Sequence, residues 1–320
     1  MSEDCTTEEF HGDTANEGWL LARQHGITST DAPVIVGVSP YKKLYRLYHE
    51  KRGAVPFTIS ETEAMFWGSV LEEPIAQRFA RETGATVTNP GRYTIQRRPE
   101  KPWLISTVDR YITPLIGDRE LEEFRNAVTG LEGPGILELK NAGFYMAEKW
   151  HDEPPLDFQV QVQHQMAVTG LQWGAIAGLL GGNKFVWAIV KRDQTFIDKL
   201  LTFEEKFRAD VHNEVEPPTD GSDDTKDLIA ALWPSETGEQ IVLPVEVLDI
   251  HEKLIDAKAR IKAAKADEQD ASNAIRNMLG DASIGTHRSG LVYSLNVQTR
   301  AEYAAKSSIF RVLRCRQQPE

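Results

Sequence analysis

Two acidic residues and a lysine in this 320-residue chain are spaced as phosphodiester chemistry requires. Hydrolysis of a phosphodiester needs a water made nucleophilic near neutral pH and relief of the charge that builds on phosphorus. Hard divalent cations do both, and Mg²⁺ is held by a few carboxylates while keeping several waters. Ser106-Thr107-Val108-Asp109-Arg110 presents Asp109 at the end of a β-like run, and Gly135-Ile136-Leu137-Glu138-Leu139-Lys140 presents Glu138 and Lys140 one residue apart. Side chains alternate along a strand, so positions 138 and 140 share a face while Leu137 and Leu139 pack behind it. The carboxylate can hold metal there, and the ammonium can orient water or stabilise developing charge. Exposed strands without any function also carry alternating Glu and Lys, so the pattern gains meaning only from its neighbours.

The elements that must position these residues read as a mixed α+β plan. Trp19 to His25 has the look of a short helix, and Gly26 to Asp31 offers a capped start for a second. Between Glu61 and Thr83 the apolar residues Phe66, Val70, Ile75 and Phe79 recur at near-helical spacing, with Gly84 as a stop. Strand-like runs follow at Ala85–Thr88, Tyr93–Arg97, Trp103–Ile112 and Gly135–Lys140, with an excursion between Thr113 and Pro134 that is helical around Glu120–Phe124. Phe158–Thr169 reads as a helix, Gly174–Leu180 and Phe185–Val190 as strands, and Thr195–Val215 as a further helix. The expected organisation is a disordered acidic leader over residues 1–15, a catalytic domain over 16–216 and a linker over 217–244 rich in Pro, Gly and acid. A C-terminal accessory region over 245–320 would hold a long charged helix or helical hairpin from Val245 to Leu279, two short strands over Ser283–Val297, and a small basic patch at 311–316.

Composition bounds the setting. No run of 18 apolar residues exists, and the polar N-terminus lacks the basic and apolar regions of a secretory signal, so no membrane association is expected. Cys5 and Cys315 lie at opposite ends of the chain, which argues for a reducing, cytoplasmic location and against a disulfide framework, a four-cysteine iron–sulfur cluster or a structural zinc site. The net charge of −12, from 36 basic and 48 acidic residues, argues against a nonspecific nucleic-acid coat. It leaves room for an enzyme that meets phosphates locally, because attraction depends on where Lys and Arg cluster.

Four motifs in order resemble the phage-type recombination exonucleases, the YqaJ-like viral recombinases and lambda exonuclease, which are nucleases of the PD-(D/E)xK type. They are Trp19-Leu20-Leu21-Ala22-Arg23 with Gly26–Asp31 and Gly37-Val38-Ser39-Pro40-Tyr41; Trp67-Gly68-Ser69-Val70-Leu71-Glu72-Glu73; the strand motifs at Asp109 and Glu138/Lys140; and the glutamine-rich Gln161–Gly170. The resemblance implies a restriction-endonuclease-like core with a mixed central sheet flanked by helices. It also implies that Asp109, Glu138, Glu72 and the carbonyl of Leu139 hold Mg²⁺, as two ions in the family's manner and with Mn²⁺ able to substitute. Lys140 is then the catalytic lysine and Gln161 a site-orienting glutamine; Glu73 stands outside the site. Arg23 falls where the family engages a 5′ phosphate, with Thr28 or Thr30 as hydroxyl donors. The implied activity is degradation of one strand of linear duplex DNA from its 5′ end, beside a single-strand annealing protein and in some members within a homo-oligomeric ring. Two alternatives are an endonuclease or structure-specific DNase, and a catalytically silent DNA-binding scaffold on the same fold. Gln161 and Gln163 lie two apart on a helix and face different ways, so only one can serve the site. His164 alone reads as a packed residue, and Trp150 as a candidate for stacking on unpaired bases.

Overall fold

The computed structural model describes residues 5–55, 62–113, 122–144, 150 and 153–299. The chain divides into two compact units, Met1–Trp233 and Pro234–Glu320. Among the described residues, no helix is long and apolar enough to cross a membrane.

The first unit is built on a five-stranded mixed sheet in the order β2-β5-β6-β7-β8. Its strands are β2 (Thr86–Thr88), β5 (Arg110–Thr113), β6 (Gly135–Ala142), β7 (Trp173–Leu180) and β8 (Lys184–Lys191). Only β6 and β7 run parallel; the remaining neighbours are antiparallel. Parallel neighbours need a crossover, and α6 (Leu156–Thr169) supplies it on one face of the sheet. On that face Ile136 and Ile176 meet Val162, Met166 and Ala167 of α6 and Ile197 of α7 (Gln194–His212). The opposite face carries Leu137, Leu139 and Trp173, covered by Ile75 and Phe79 of α4 (Glu63–Thr83) and Phe124 of α5 (Glu122–Val128). The strand alternation read from the sequence therefore sorts β6: odd positions pack under α4, and positions 136, 138 and 140 turn toward α6. Helix α4 begins where the Thr62 side chain accepts from the Met65 amide, and it stops at Gly84, whose φ of 71° suits glycine.

A second, antiparallel sheet joins β1 (Thr6–Glu9), β3 (Thr94–Arg98) and β4 (Lys101–Ser106) in the order β1-β3-β4. This corrects two expectations. Residues 1–15 are not all a disordered leader, because Thr6–Glu9 pairs residue by residue with Thr94–Arg97 and α1 begins at Ala15 and runs to His25. The run Trp103–Ile112 is not one strand either. It leaves the small sheet after Ser106, bends through Asp109 and enters the large sheet as β5.

The stretch 217–244 is not a bare linker. Ser222 caps α8 (Asp223–Leu232) by accepting from the Thr225 amide, and Asp224 binds the Arg46 guanidinium and the Lys43 amide at the start of α3 (Leu44–Lys51). Leu228 is buried among Tyr45 and Val55, so the helix belongs to the first unit. The second unit holds one continuous 33-residue helix, α9 (Val247–Leu279), and a hairpin of β9 (Ile284–Thr286) and β10 (Val292–Ser294). The basic patch at 311–316 lies outside the described residues.

Two packing features carry predictions. The Trp173 ring lies so close to Gly135 that a Cβ there would sit 2.6 Å from ring carbons. Gly135→Ala should therefore destabilise the domain by about 1–3 kcal/mol through overpacking; equal urea midpoints for variant and wild type would disprove that close approach. His164, fully buried on α6, meets Glu204 Oε1 of α7 through Nδ1 at 2.7 Å and the Ile105 carbonyl through Nε2 at 2.9 Å. Burial alone would lower the histidine pKa, but the Glu204 charge and hydrogen bond outweigh it and raise the pKa above its ordinary value. A raised folded value means the pair's stabilisation is complete below the unfolded histidine pKa of about 6.5 and is lost as pH rises through the folded value. The stability gap between wild type and Glu204→Gln should accordingly shrink from about pH 6 to pH 9 in urea titrations. A pH-independent gap would show that no such proton is held.

Candidate active site

Strand β6 pairs with β7 along its whole length, from Ile136 to Ala142, but with β5 only from Gly135 to Leu137. Beyond Leu137 the two strands part, which leaves an open backbone edge. Asp109, in the bend before β5, closes it: its Oδ2 accepts from the Leu139 amide at 2.8 Å. In an extended strand the N–H and C=O of one residue face the same side, so the Leu139 carbonyl faces this fork too.

Glu138 and Lys140 stand on the α6 side of the fork. Lys140 Nζ donates to Glu138 Oε1 at 2.6 Å and to Gln161 Oε1 at 2.7 Å, while Gln161 Nε2 donates to the same Glu138 oxygen at 2.6 Å. The other Glu138 oxygen accepts from Gln165 Nε2 at 2.7 Å. A carboxylate only 2% exposed is thereby satisfied by one cation and two amides. The Lys140 ammonium also lies 4.9 Å above the Phe158 ring. Burial works against charge on Lys140, and Glu138 more than offsets it, so the amine pKa lies above the usual lysine value. Asp109 moves strongly in the same direction for the opposite reason: burial, then the charges of Glu138 and Glu72, push its carboxyl well above the usual carboxylate range.

Glu72, on α4, is partly exposed and lies 3.9 Å from the guanidinium of Arg110. Burial and the Glu138 charge raise its pKa, and Arg110 opposes them. Arg110, itself buried, donates to the Asp109 carbonyl at 2.6 Å and to the exposed Glu73 at 3.1 Å. Among the described residues no three His, Cys, Asp or Glu side chains close tightly enough to cage an ion on their own. The donors on hand are the buried Glu138, the partly exposed Asp109 and Glu72, and one strand carbonyl, all of one sign or polarity. Such a set fits a hard cation that retains waters.

Arg23 reaches the same neighbourhood from α1. Its guanidinium stacks over Trp19, 4.5 Å from the ring centre, and donates to Thr107 Oγ1 at 3.1 Å and Thr30 Oγ1 at 3.2 Å. The buried Thr28 hydroxyl lies 3.0 Å from that of Thr30, which is exposed. Burial pulls the Arg23 pKa below the usual arginine value while Asp31 and Asp109 oppose it; a guanidinium stays charged throughout. The loop before α2 (Ala32–Ile35) is held beside β4, because Ile27 exchanges backbone hydrogen bonds with Trp103 and Ile105. Lys51 fastens its other side: Nζ meets Asp31 Oδ2 at 2.6 Å and the carbonyls of Arg23 and Gly26 at 2.6 and 2.7 Å.

The candidate residues thus fall into two adjoining clusters: Asp109, Glu138, Leu139, Lys140 and Gln161 at the fork with Glu72 at its rim, and Arg23, Thr28 and Thr30 beside it. Gln163 stands apart, joining the Lys191 carbonyl and the Asp193 amide between β8 and α7. Trp150 is buried against Phe158, which removes it as a stacking platform. Sequence reasoning missed four contributors. Gln165 was signalled by its i,i+4 spacing from Gln161 on the face that meets Glu138. Thr107, Arg110 and Lys51 act through contacts distant in the chain and carried no local signal.

Residues 18–172 match the YqaJ-like viral recombinase domain. An uncharacterised protein of Bacillus subtilis strain 168, YqaJ, is 29% identical over 280 residues, which cover 86% of this chain and 82% of that one. An alkaline exonuclease from Laribacter hongkongensis is 20% identical, with 62% of this chain and 94% of that one superposed at a TM-score of 0.46. A phage-related exonuclease from Haemophilus somnus 129PT is 14% identical over 59% of this chain and 96% of that one, at a TM-score of 0.37. The family match covers the whole stretch in which the N-terminal block, the helix glutamate, the strand acids and the glutamine helix lie, so over residues 18–172 this chain is similar to the YqaJ-like viral recombinase domain.

Proposed function

We propose that this chain is a metal-dependent DNA exonuclease that degrades one strand of linear duplex DNA from a 5′ end. The observation that carries this reading is the fork itself. Two acids from separate segments, Asp109 and Glu138, meet one lysine where a strand edge is left open, and a guanidinium with two hydroxyls stands alongside. A family of viral recombinases makes DNA the natural substrate.

Mg²⁺ would be held by Asp109, Glu138 and the Leu139 carbonyl, with Glu72 as a further acid at the rim. Bound there, it activates water and neutralises charge on the scissile phosphate. The protein's own groups set the stage. As an ammonium, Lys140 can donate to an attacking water or a phosphate oxygen. Gln161 holds that ammonium and Glu138 together, so neither can swing away alone. Arg23, braced by Trp19 and Thr107, offers a charge-assisted donor to a terminal phosphate, with the exposed Thr30 hydroxyl beside it.

Asp109→Asn and Lys140→Met should each lower the degradation rate of linear duplex by about 100-fold or more. Full activity in either variant removes that residue from the mechanism, and digestion of covalently closed circles would overturn the end-dependent reading. Mg²⁺ should raise the melting temperature of the wild type by mass action and leave that of Asp109→Asn unmoved, whatever the activities. Arg23→Gln should reduce the preference for 5′-phosphorylated over 5′-hydroxyl ends by about tenfold, the worth of a lost charge-assisted bond; an unchanged ratio would place end recognition elsewhere.

A further inference from the structure

The second unit contains a feature the nuclease reading leaves unused. Helix α9 runs 33 residues with none of them buried, and apart from Leu248, Ile255 and Leu279 its large apolar side chains fall in one row. Counting from Val247 in alternating steps of three and four, every position through Met278 is Val, Ile, Leu, Ala or Met, with Glu268 the sole exception. That 3.5-residue period is the seam of a coiled coil. Its side chains are open to solvent: Ile250 is 62% exposed, Ile261 56% and Met278 85%. An apolar row of this length, broken once at Glu268 and open to solvent, calls for a partner.

We propose that α9 pairs with α9 of a second copy of this chain, as an antiparallel two-stranded coiled coil. The seam is self-complementary about a point between positions 262 and 263, which is also the middle of the helix. In that register Ile250 meets Ile275, Leu254 meets Ala271 and Ile261 meets Ala264, each twice by symmetry. The central layers therefore set a large side chain against a small one, as interdigitating layers require. The flanks decide orientation. Arg260 faces Asp267 of the second copy on both sides of the axis, and Glu268 lies opposite Ala257, next to Lys258. One kind of like-charged contact arises, Lys258 against Lys265, also twice by symmetry, and a Glu268 carboxylate sits beside each. A parallel pair would set Glu268 against Glu268 in the seam, Arg260 against Lys265 and Lys253 against Lys258. Apposed carboxylates and paired cations disfavour that arrangement.

The test uses the full chain in sedimentation equilibrium. The wild type should show twice the 35.9 kDa chain mass. Ile261→Glu, at a solvent-facing position the isolated unit does not need for folding, should be monomeric with unchanged helix content by circular dichroism. Arg260→Asp and Asp267→Arg should each weaken dimerisation by about tenfold, and the two combined should restore it. With Cys5 and Cys315 replaced by serine, Leu254→Cys plus Ala271→Cys should form a covalent dimer on oxidation, whereas Ala271→Cys alone should not. A monomeric wild type, an oligomer that survives Ile261→Glu, or crosslinking by Ala271→Cys alone would each overturn the proposal. None of these outcomes depends on nuclease activity.

Discussion

A carboxylate removed from water on a central strand must be satisfied inside the protein, and Glu138 imposes that demand on everything around β6. The desolvation penalty of an uncompensated buried charge is several kcal/mol, which one ammonium and two amides offset here. Both amides come from α6, so the helix cannot rotate without orphaning the charge. Its remaining polar residues are fixed just as firmly. Gln163 reaches the turn between β8 and α7, and His164 reaches α7 and β4. This explains why α6 lacks an apolar stripe: its inner faces are buried all round, and its buried polar groups point at Glu138, at the turn before α7, and at α7 and β4.

The charge balance of the chain fits this view. A net charge of −12 gives no general attraction for nucleic acid, so affinity must be concentrated where cations are held in place. The cations that matter are held by protein groups on several sides. Lys140 lies between Glu138, Gln161 and Phe158; Arg23 between Trp19, Thr30 and Thr107; Arg110 between the Asp109 carbonyl and Glu73. Positioned in this way, each loses little further side-chain entropy when an anion arrives.

What the sequence made legible follows from how local each signal is. The Glu138/Lys140 face was readable because strand alternation is a two-residue rule, and Ile136, Leu137 and Leu139 obey it in the structure. Helix α4 was readable from its period and its Gly84 stop. The break after Ser106 was not, since most of Trp103 to Ile112 is strand-forming and the pairing of β4 and β5 with different sheets divides it. Strand β1 was hidden by its acidic, polar composition, because it borrows its order from β3. Helix α8 sits in a stretch rich in Pro, Gly and acid, and it is held by Arg46, some 178 positions earlier. The clamp made by Lys51 reaches back 28 positions to Arg23 and 25 to Gly26, beyond the span of any local pattern.

The two clusters of the site are connected more tightly than their distance in the chain suggests. Thr107 receives the Arg23 guanidinium on its hydroxyl and the Gln165 amide on its carbonyl, and it precedes Asp109 by two residues in the same bend. Gln165 in turn holds Glu138. A path of hydrogen bonds therefore runs from Arg23 through Thr107 and Gln165 to the buried acid, crossing α1, the bend and α6. Loops often separate binding from chemistry and let each move; here the bend that carries the acid is also the brace of the arginine. On the proposed function, the spacing between a strand's terminal phosphate and the bond to be cut is then a property of the fold and not of a mobile segment. On that reading a preference for ends would come from geometry, since a phosphate held by Arg23 would already be at a set remove from Asp109 and Glu138.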